Sequence, residues 1–376
     1  MRISATYICP VRGLHGLGPP EPERLGQAAR VAKSLGLERL LIPVLEESLV
    51  GLRRVKVGFL HGLIKALDRV AEAGIGAWLI APTQQLLGLD WVAPNLVQGT
   101  RDRAASPVFV DGKVRQLRPL DWWAEPSVIQ KRIRVFREVV SAVNGHPALR
   151  GWVILDRALE WVRPGLQAAH FVLRSFLGEI RDRDENATIY MGVGWSELLE
   201  PGLVQSLAGQ VDGFRLSGLE TWPPGLEGPT DAAGELWMAS YLGTLSGWLF
   251  GAPTEIEVGW GLLGGAYDPE RIMEAGQVLA RQGVDGLTWL SLVDPESRLW
   301  DEPPWVLRPG LQEVGLLDQG LEPKAWVESW VQAACAVEPE ESPRDFIDLS
   351  QEAYMEAPQT HLSRLWNHFL ESRGLL

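Results

Sequence analysis

Carboxylates and tryptophans dominate the residues of this sequence that could do chemistry. Glu255 and Glu257 stand two apart in the apolar run "PTEIEVGWG" (253–261). Residues two apart on an extended strand point to one face, so both carboxyls would share a site. Crowding raises the pKa of one carboxyl, which could then donate a proton while the other stays charged. Asp156 and Arg157 end the run that begins "GWVIL" (151–155), and Glu160 follows on the next loop or helical turn. Paired carboxylates suit glycosidic bond cleavage, where one acid protonates the leaving oxygen and the other attacks or supports the oxocarbenium-like centre. Arg157 would suit an anionic group such as a uronate, or neutralise Glu257, because guanidinium binds carboxylates bidentately. Each has a structural alternative: an Asp156–Arg157 salt bridge, Glu160 as a helix N-terminal acid, or one of the two strand glutamates low in the core and paired with an arginine such as Arg215.

The 17 Trp outnumber the five Tyr more than threefold. Apolar sugar faces pack on indole, whose N–H adds one hydrogen bond. Trp195, Trp222, Trp260 and Trp289 fall at or near the ends of four successive apolar runs, with Glu220 close to Trp222. For each, core packing competes with ligand contact. Trp122-Trp123 lies in a long segment rich in Gly, Pro, Asp and Trp, where exposed aromatics would need a reason.

Other chemistries find little support. Cys9 and Cys335 form no CxxC or Cys/His spacing, so neither a disulfide framework nor a zinc site is expected, and no other metal or cofactor. "GLHGLGPP" (13–20) is glycine-rich but fits neither phosphate-binding loop. A net charge of −13 opposes nucleic-acid binding. No apolar run is long enough to span a membrane and no secretory leader precedes the first strand pattern, so a cytoplasmic protein is expected.

The elements that must position these residues alternate short apolar runs with helical patterns, as parallel strands with helical crossovers do. Strands are expected at 3–10, 39–47, 76–82, 151–156, 187–195, 212–220, 253–261 and 285–295. Helices fall between them, such as 22–37, 56–75, 126–144 and 231–251. Eight such units predict a closed (β/α)8 TIM barrel over residues 1–317, with residues 318–376 as a helical extension packed on it. Residues 83–126 read as a long loop after the third strand, with a hairpin around "PVFVDGKVRQL" turned by Asp111-Gly112. In such a barrel the functional end is the carboxyl ends of the strands, where the carboxylates and tryptophans fall.

At this point the sequence resembles the clan A glycoside hydrolases, the (β/α)8 retaining enzymes that include cellulase-like and β-galactosidase-like families. "HPALRGWVIL" (146–155) is similar to the lead into their fourth strand, "TEIEVGWG" (254–261) to their seventh and "GVDGLTWLSLVD" (283–294) to their eighth. "VAEAGIGAWLIAP" (70–82) is similar to their helix and third strand. The resemblance implies Glu257 as nucleophile, or Glu255 in the other alignment. It also implies departures. The Asn-Glu that ends the family's fourth strand, the Glu being the acid/base, falls on Asp156-Arg157. Leu41 stands where many members have an active-site Arg, and "LIAP" (79–82) lacks the usual closing His. The sequence therefore predicts a glycoside hydrolase-like barrel acting on or binding an oligo- or polysaccharide or glycoside, retaining if active, with Asp156, Glu160 or Glu255 as acid. The alternative is a barrel that binds carbohydrate or protein without turnover.

Overall fold

The computed structural model describes residues 1–11, 21–45, 55, 57–83, 85–87, 89–92, 97–98, 106–110, 113–219, 223, 225–226, 232–259, 269–281, 284–336 and 344–375. Apolar runs become strands and patterns with three- and four-residue spacing become helices, in the order β1 (Arg2–Thr6), α1 (Pro22–Ser34), β2 (Arg39–Leu45), α2 (Val57–Glu72) and β3 (Gly76–Thr83). An inserted layer follows: β4 (Gln85–Leu86), β5 (Leu89–Trp91), β6 (Val97–Gln98), β7 (Ser106–Val110) and β8 (Lys113–Pro119). The alternation resumes with α3 (Pro126–Val143), β9 (Leu149–Ile154), α4 (Ala158–Trp161), α5 (Leu166–Arg181), β10 (Thr188–Gly194), α6 (Gly202–Ala208) and β11 (Gly213–Ser217). It ends with α7 (Ala232–Phe250), β12 (Thr254–Val258), α8 (Pro269–Arg281) and β13 (Gly286–Trp289), then α9 (Val327–Ala336), α10 (Gln351–Glu356) and α11 (Pro358–Ser372).

Strands β1, β2, β3, β9, β10, β11, β12 and β13 pair in parallel in that order, and β13 returns to β1 to close the barrel. Helices wrap it, most with one apolar stripe, as on α2, where Phe59, Leu63, Ala66, Leu67 and Val70 are buried at the spacing that puts them on one face, whereas α7 is buried all round over residues 234–246. Pro at the first turn starts α1, α3 and α11, where its missing N–H is no loss.

The structure corrects the expectation for residues 83–126. Beyond the β7–β8 hairpin, which pairs Val110 with Lys113, the segment builds a five-stranded sheet in the order β4-β5-β7-β8-β6. Its proposed turn, Asp111-Gly112, lies outside the described residues. The fourth barrel strand also ends earlier than expected, at Ile154, because Leu155 and Arg157 adopt left-handed φ of 53° and 50° that a strand cannot continue through.

Behind the barrel, Trp326 and Trp330 pack on Trp289 with ring centroids 5.2 Å away in each case. The Tyr241 hydroxyl of α7 donates to the carbonyl of Leu362 in α11 at 2.5 Å. No described helix is long and apolar enough to cross a membrane.

Candidate functional site at the carboxyl ends of the strands

Alternation along each strand sets which side chains enter the barrel, and tiers of inward residues follow. In the lower tier the Ser4 hydroxyl donates to Glu255 Oε1 at 2.9 Å and lies 3.0 Å from Thr288 Oγ1, which also bonds Glu255. Arg39 of β2 forms an ion pair with the other oxygen of Glu255 and lays its guanidinium over Trp78, 3.9 Å from the ring centroid. Burial lowers the pKa of Arg39, partly offset by Glu255. Beside this group, Arg2 donates to the Tyr190 hydroxyl at 3.0 Å.

The upper tier, toward the strands' carboxyl ends, is organised by Arg215 of β11. One terminal nitrogen of its guanidinium donates to Asp156 Oδ1 at 3.1 Å and the other to Glu257. All three residues are buried, with Arg215 at 1% exposure, Asp156 at 2% and Glu257 at 4%. Burial works against the charge of Arg215, but Glu257, Asp156 and the deeper Glu255 more than offset it, so its pKa is raised. Two glycines make this arrangement possible. A Cβ on Gly192, opposite Arg215 in the β10–β11 register, would collide with the side chain and Cα of Asp156. Gly218, at φ +87°, leaves the space taken by the Arg157 guanidinium, whose Nε lies 2.8 Å from where a Cβ would stand.

The sequence candidates separate accordingly. Asp156 and Glu257 meet at one guanidinium. Glu255 does not join them: it lies one tier deeper, fully buried and bonded to Arg39, Ser4 and Thr288. The alternation that gives Glu255 and Glu257 the same face says nothing about depth. The Arg215 guanidinium reaches Glu257, and that of Arg157 lies against Gly218. Glu160 falls in the short helix α4, just beyond Asp156.

Three of the tryptophans are corrections. Trp289 follows the inward Thr288 and so faces outward, its Nε1 donating to the Val314 carbonyl at 2.7 Å. Trp122 and Trp123 are buried rather than exposed, stacked at a 3.8 Å centroid separation with the Arg132 guanidinium over Trp122. A single turn of 3-10 helix, Trp122–Ala124, delivers them against α3 and α5. Trp195, half-buried, follows directly on β10. Glu220, Trp222 and Trp260 lie outside the described residues.

Several buried polar groups near the mouth were not singled out in the sequence. Glu197 accepts from the Gly194 N–H at 2.8 Å, and Glu235 of α7 accepts from the Gly259 N–H at 2.9 Å, so two carboxylates fix the ends of β10 and β12. Thr6 and Ser217 are buried on inward faces of β1 and β11. The alternation of "RISAT" and "GFRLS" was the signal available for both hydroxyls and for Arg215 as the hub. Among the described residues, no group of three or more His, Cys, Asp or Glu could hold a metal ion.

No family model matches the chain, and no curated protein matches it. Solved structures do. The GH5_18 of Streptomyces cattleya in complex with GlcNAc is 15% identical with a TM-score of 0.76, over 100% of this chain and 91% of that one. A structure of a GH5_18 variant from the same organism in complex with Manb1-4GlcNAc gives 0.75 at 14% identity, over 100% and 92%. The fold is that of these glycoside hydrolase barrels. The exo-beta-1,4-mannosidase Op5Man5 from Opitutaceae bacterium strain TAV5 matches at 0.69 and 15% identity over 89% of this chain, which spans 59% of that enzyme's length.

Proposed function

We infer that the protein is a glycoside hydrolase-like barrel that binds a carbohydrate at the carboxyl ends of its strands and does not cleave ordinary glycosides. The observation that carries this is the bridge from Asp156 through Arg215 to Glu257. Cleavage needs a proton donor on one side of the glycosidic bond and a carboxylate on the other. An ion-paired carboxylate only accepts hydrogen bonds, so Asp156 is poorly placed to be the donor. Arg157, which takes the acid/base place of the resembled motif, carries a guanidinium that does not give up its proton near neutral pH. The fold, and the saccharides named for the similar structures, support carbohydrate as the ligand.

A second reading rests on Glu257 itself, an inward carboxylate near the end of the seventh barrel strand, where a retaining nucleophile would stand. In that reading the acid comes from elsewhere at the mouth, Glu160 being the nearest candidate in sequence. Calorimetric titration with Manb1-4GlcNAc, alongside a panel of aryl glycosides on the wild type and Glu257→Gln, separates the two. Binding without turnover is expected. Hydrolysis that Glu257→Gln abolishes selects the second reading, and hydrolysis that it leaves intact removes Glu257 from both.

A further inference from the structure

Of the two polar tiers inside the barrel, the lower one has its hydroxyls and carboxylate joined by the protein's own hydrogen bonds, although the Nε of Arg39 finds no partner among the described residues. Ser4 and Glu255 meet across it directly. Two residues further along β1 and β12, the same inward faces carry Thr6 and Glu257. The contact is not repeated there: Thr6 is fully buried, yet its Oγ1 finds no partner among the described residues. Ser217 shows the same pattern. It follows the Leu216–Ile256 register pair, which sets it beside Glu257 on the adjacent strand, and at 2% exposure its Oγ also has no partner among the described residues. The Nε of Arg215 is a third such group in this region. Leaving one buried polar group unpaired costs about 1–3 kcal/mol, and a core built only for packing has few of them.

The surrounding groups limit what could meet these three. Asp156 and Glu257 are acceptors, the two hydroxyls both donate and accept, and the Arg215 Nε donates. Arg215 bridges the two carboxylates and the Arg157 guanidinium lies against Gly218, next to Ser217, so two carboxylates face two guanidiniums and no surplus positive charge is left to attract an anion. A sugar hydroxyl fits, since it can donate to Glu257 while accepting from Thr6 or Ser217. Strand β10 adds no side chain at this level, having Gly192 opposite Arg215 and Gly194 opposite Ser217.

We propose that Thr6 and Ser217 are specificity-determining contacts that hold the hydroxyls of a neutral sugar ring over Glu257. The proposal rests on the carbohydrate reading above and narrows its ligand class, away from the uronate that Arg157 alone suggests. The test compares the wild type with Thr6→Val and Ser217→Ala by calorimetric titration with the same disaccharide and with a uronic-acid disaccharide, and by thermal unfolding without ligand. The wild type should prefer the neutral sugar, and each variant should bind it about three- to tenfold more weakly, the worth of one hydrogen bond. The unfolding temperature of each variant should stay level or rise, because the hydroxyl removed had no partner among the described residues. Neutral-sugar binding that both variants leave unchanged overturns the proposal while the carbohydrate reading stands. Tighter binding of the uronide, or lower unfolding temperatures for both variants, also overturns it. A wild type that binds neither sugar overturns the carbohydrate reading, and the proposal falls with it.

Discussion

Arg215 holds together the two carboxylates that the sequence marks most strongly, so its removal should be costly. Without it Asp156 and Glu257 would remain as two buried negative charges with no bridging cation. Breaking a buried ion pair from one side costs about 3–5 kcal/mol. Arg215→Met should therefore lower stability by roughly that amount in urea denaturation. Adding Asp156→Asn and Glu257→Gln to Arg215→Met should restore most of the loss, since neutral amides need no counter-charge. A single variant as stable as the wild type would show that the bridge is not an electrostatic anchor. The same residue shows what one strand's alternation can and cannot reveal. "GFRLS" identifies Arg215 and Ser217 as sharing a face, but pairing Arg215 with Asp156 also required the room left by Gly192 on β10 and the left-handed turn at Leu155 after β9, neither of which can be read from β11.

At the level of elements, the barrel strands were legible because parallel strands covered on both faces read as continuous apolar runs, and most helices because one stripe of each is buried, α7 being buried all round instead. The insertion was not legible in the same way. Its strands are short, and their partners are set by tertiary packing: β5 pairs in parallel with β7 across an intervening segment, which no local pattern announces. That is also why Trp122 and Trp123 were expected on an exposed loop. The turn that carries them is packed beneath α3, with Arg132 of that helix lying over Trp122. Their role is therefore assigned to packing. Trp122→Ala should cost about 3–5 kcal/mol in chemical denaturation, as large-to-small core changes do, and leave sugar affinity per folded molecule unchanged. A variant that stays stable but loses affinity would return the pair to the ligand site.

For the whole molecule, the question is what ties the barrel to the chain beyond its last strand. Past β13 the backbone bridges Val293 to Leu317, and the carboxylate of Asp294 accepts from the Gly315 N–H at 2.6 Å and from Lys324 Nζ at 3.0 Å. Burial pushes the pKa of Asp294 up from 3.8 to about 6, against the opposing pull of Lys324 and of the Gly315 hydrogen bond. The folded protein thus holds this proton more tightly than the unfolded chain does. The resulting stability is fully present below the unfolded value near pH 4 and is lost as pH rises through about 6. Asp294→Asn cannot titrate, so the stability difference between wild type and variant isolates this one group from the other carboxylates. That difference should shift against the wild type between pH 4 and pH 7, by at most about 3 kcal/mol for a displacement of about two pH units. Guanidinium denaturation of both proteins at intervals across that range measures it. A constant difference would mean that Lys324 fully compensates the burial of Asp294, and that the junction between the barrel and its C-terminal helices is indifferent to pH.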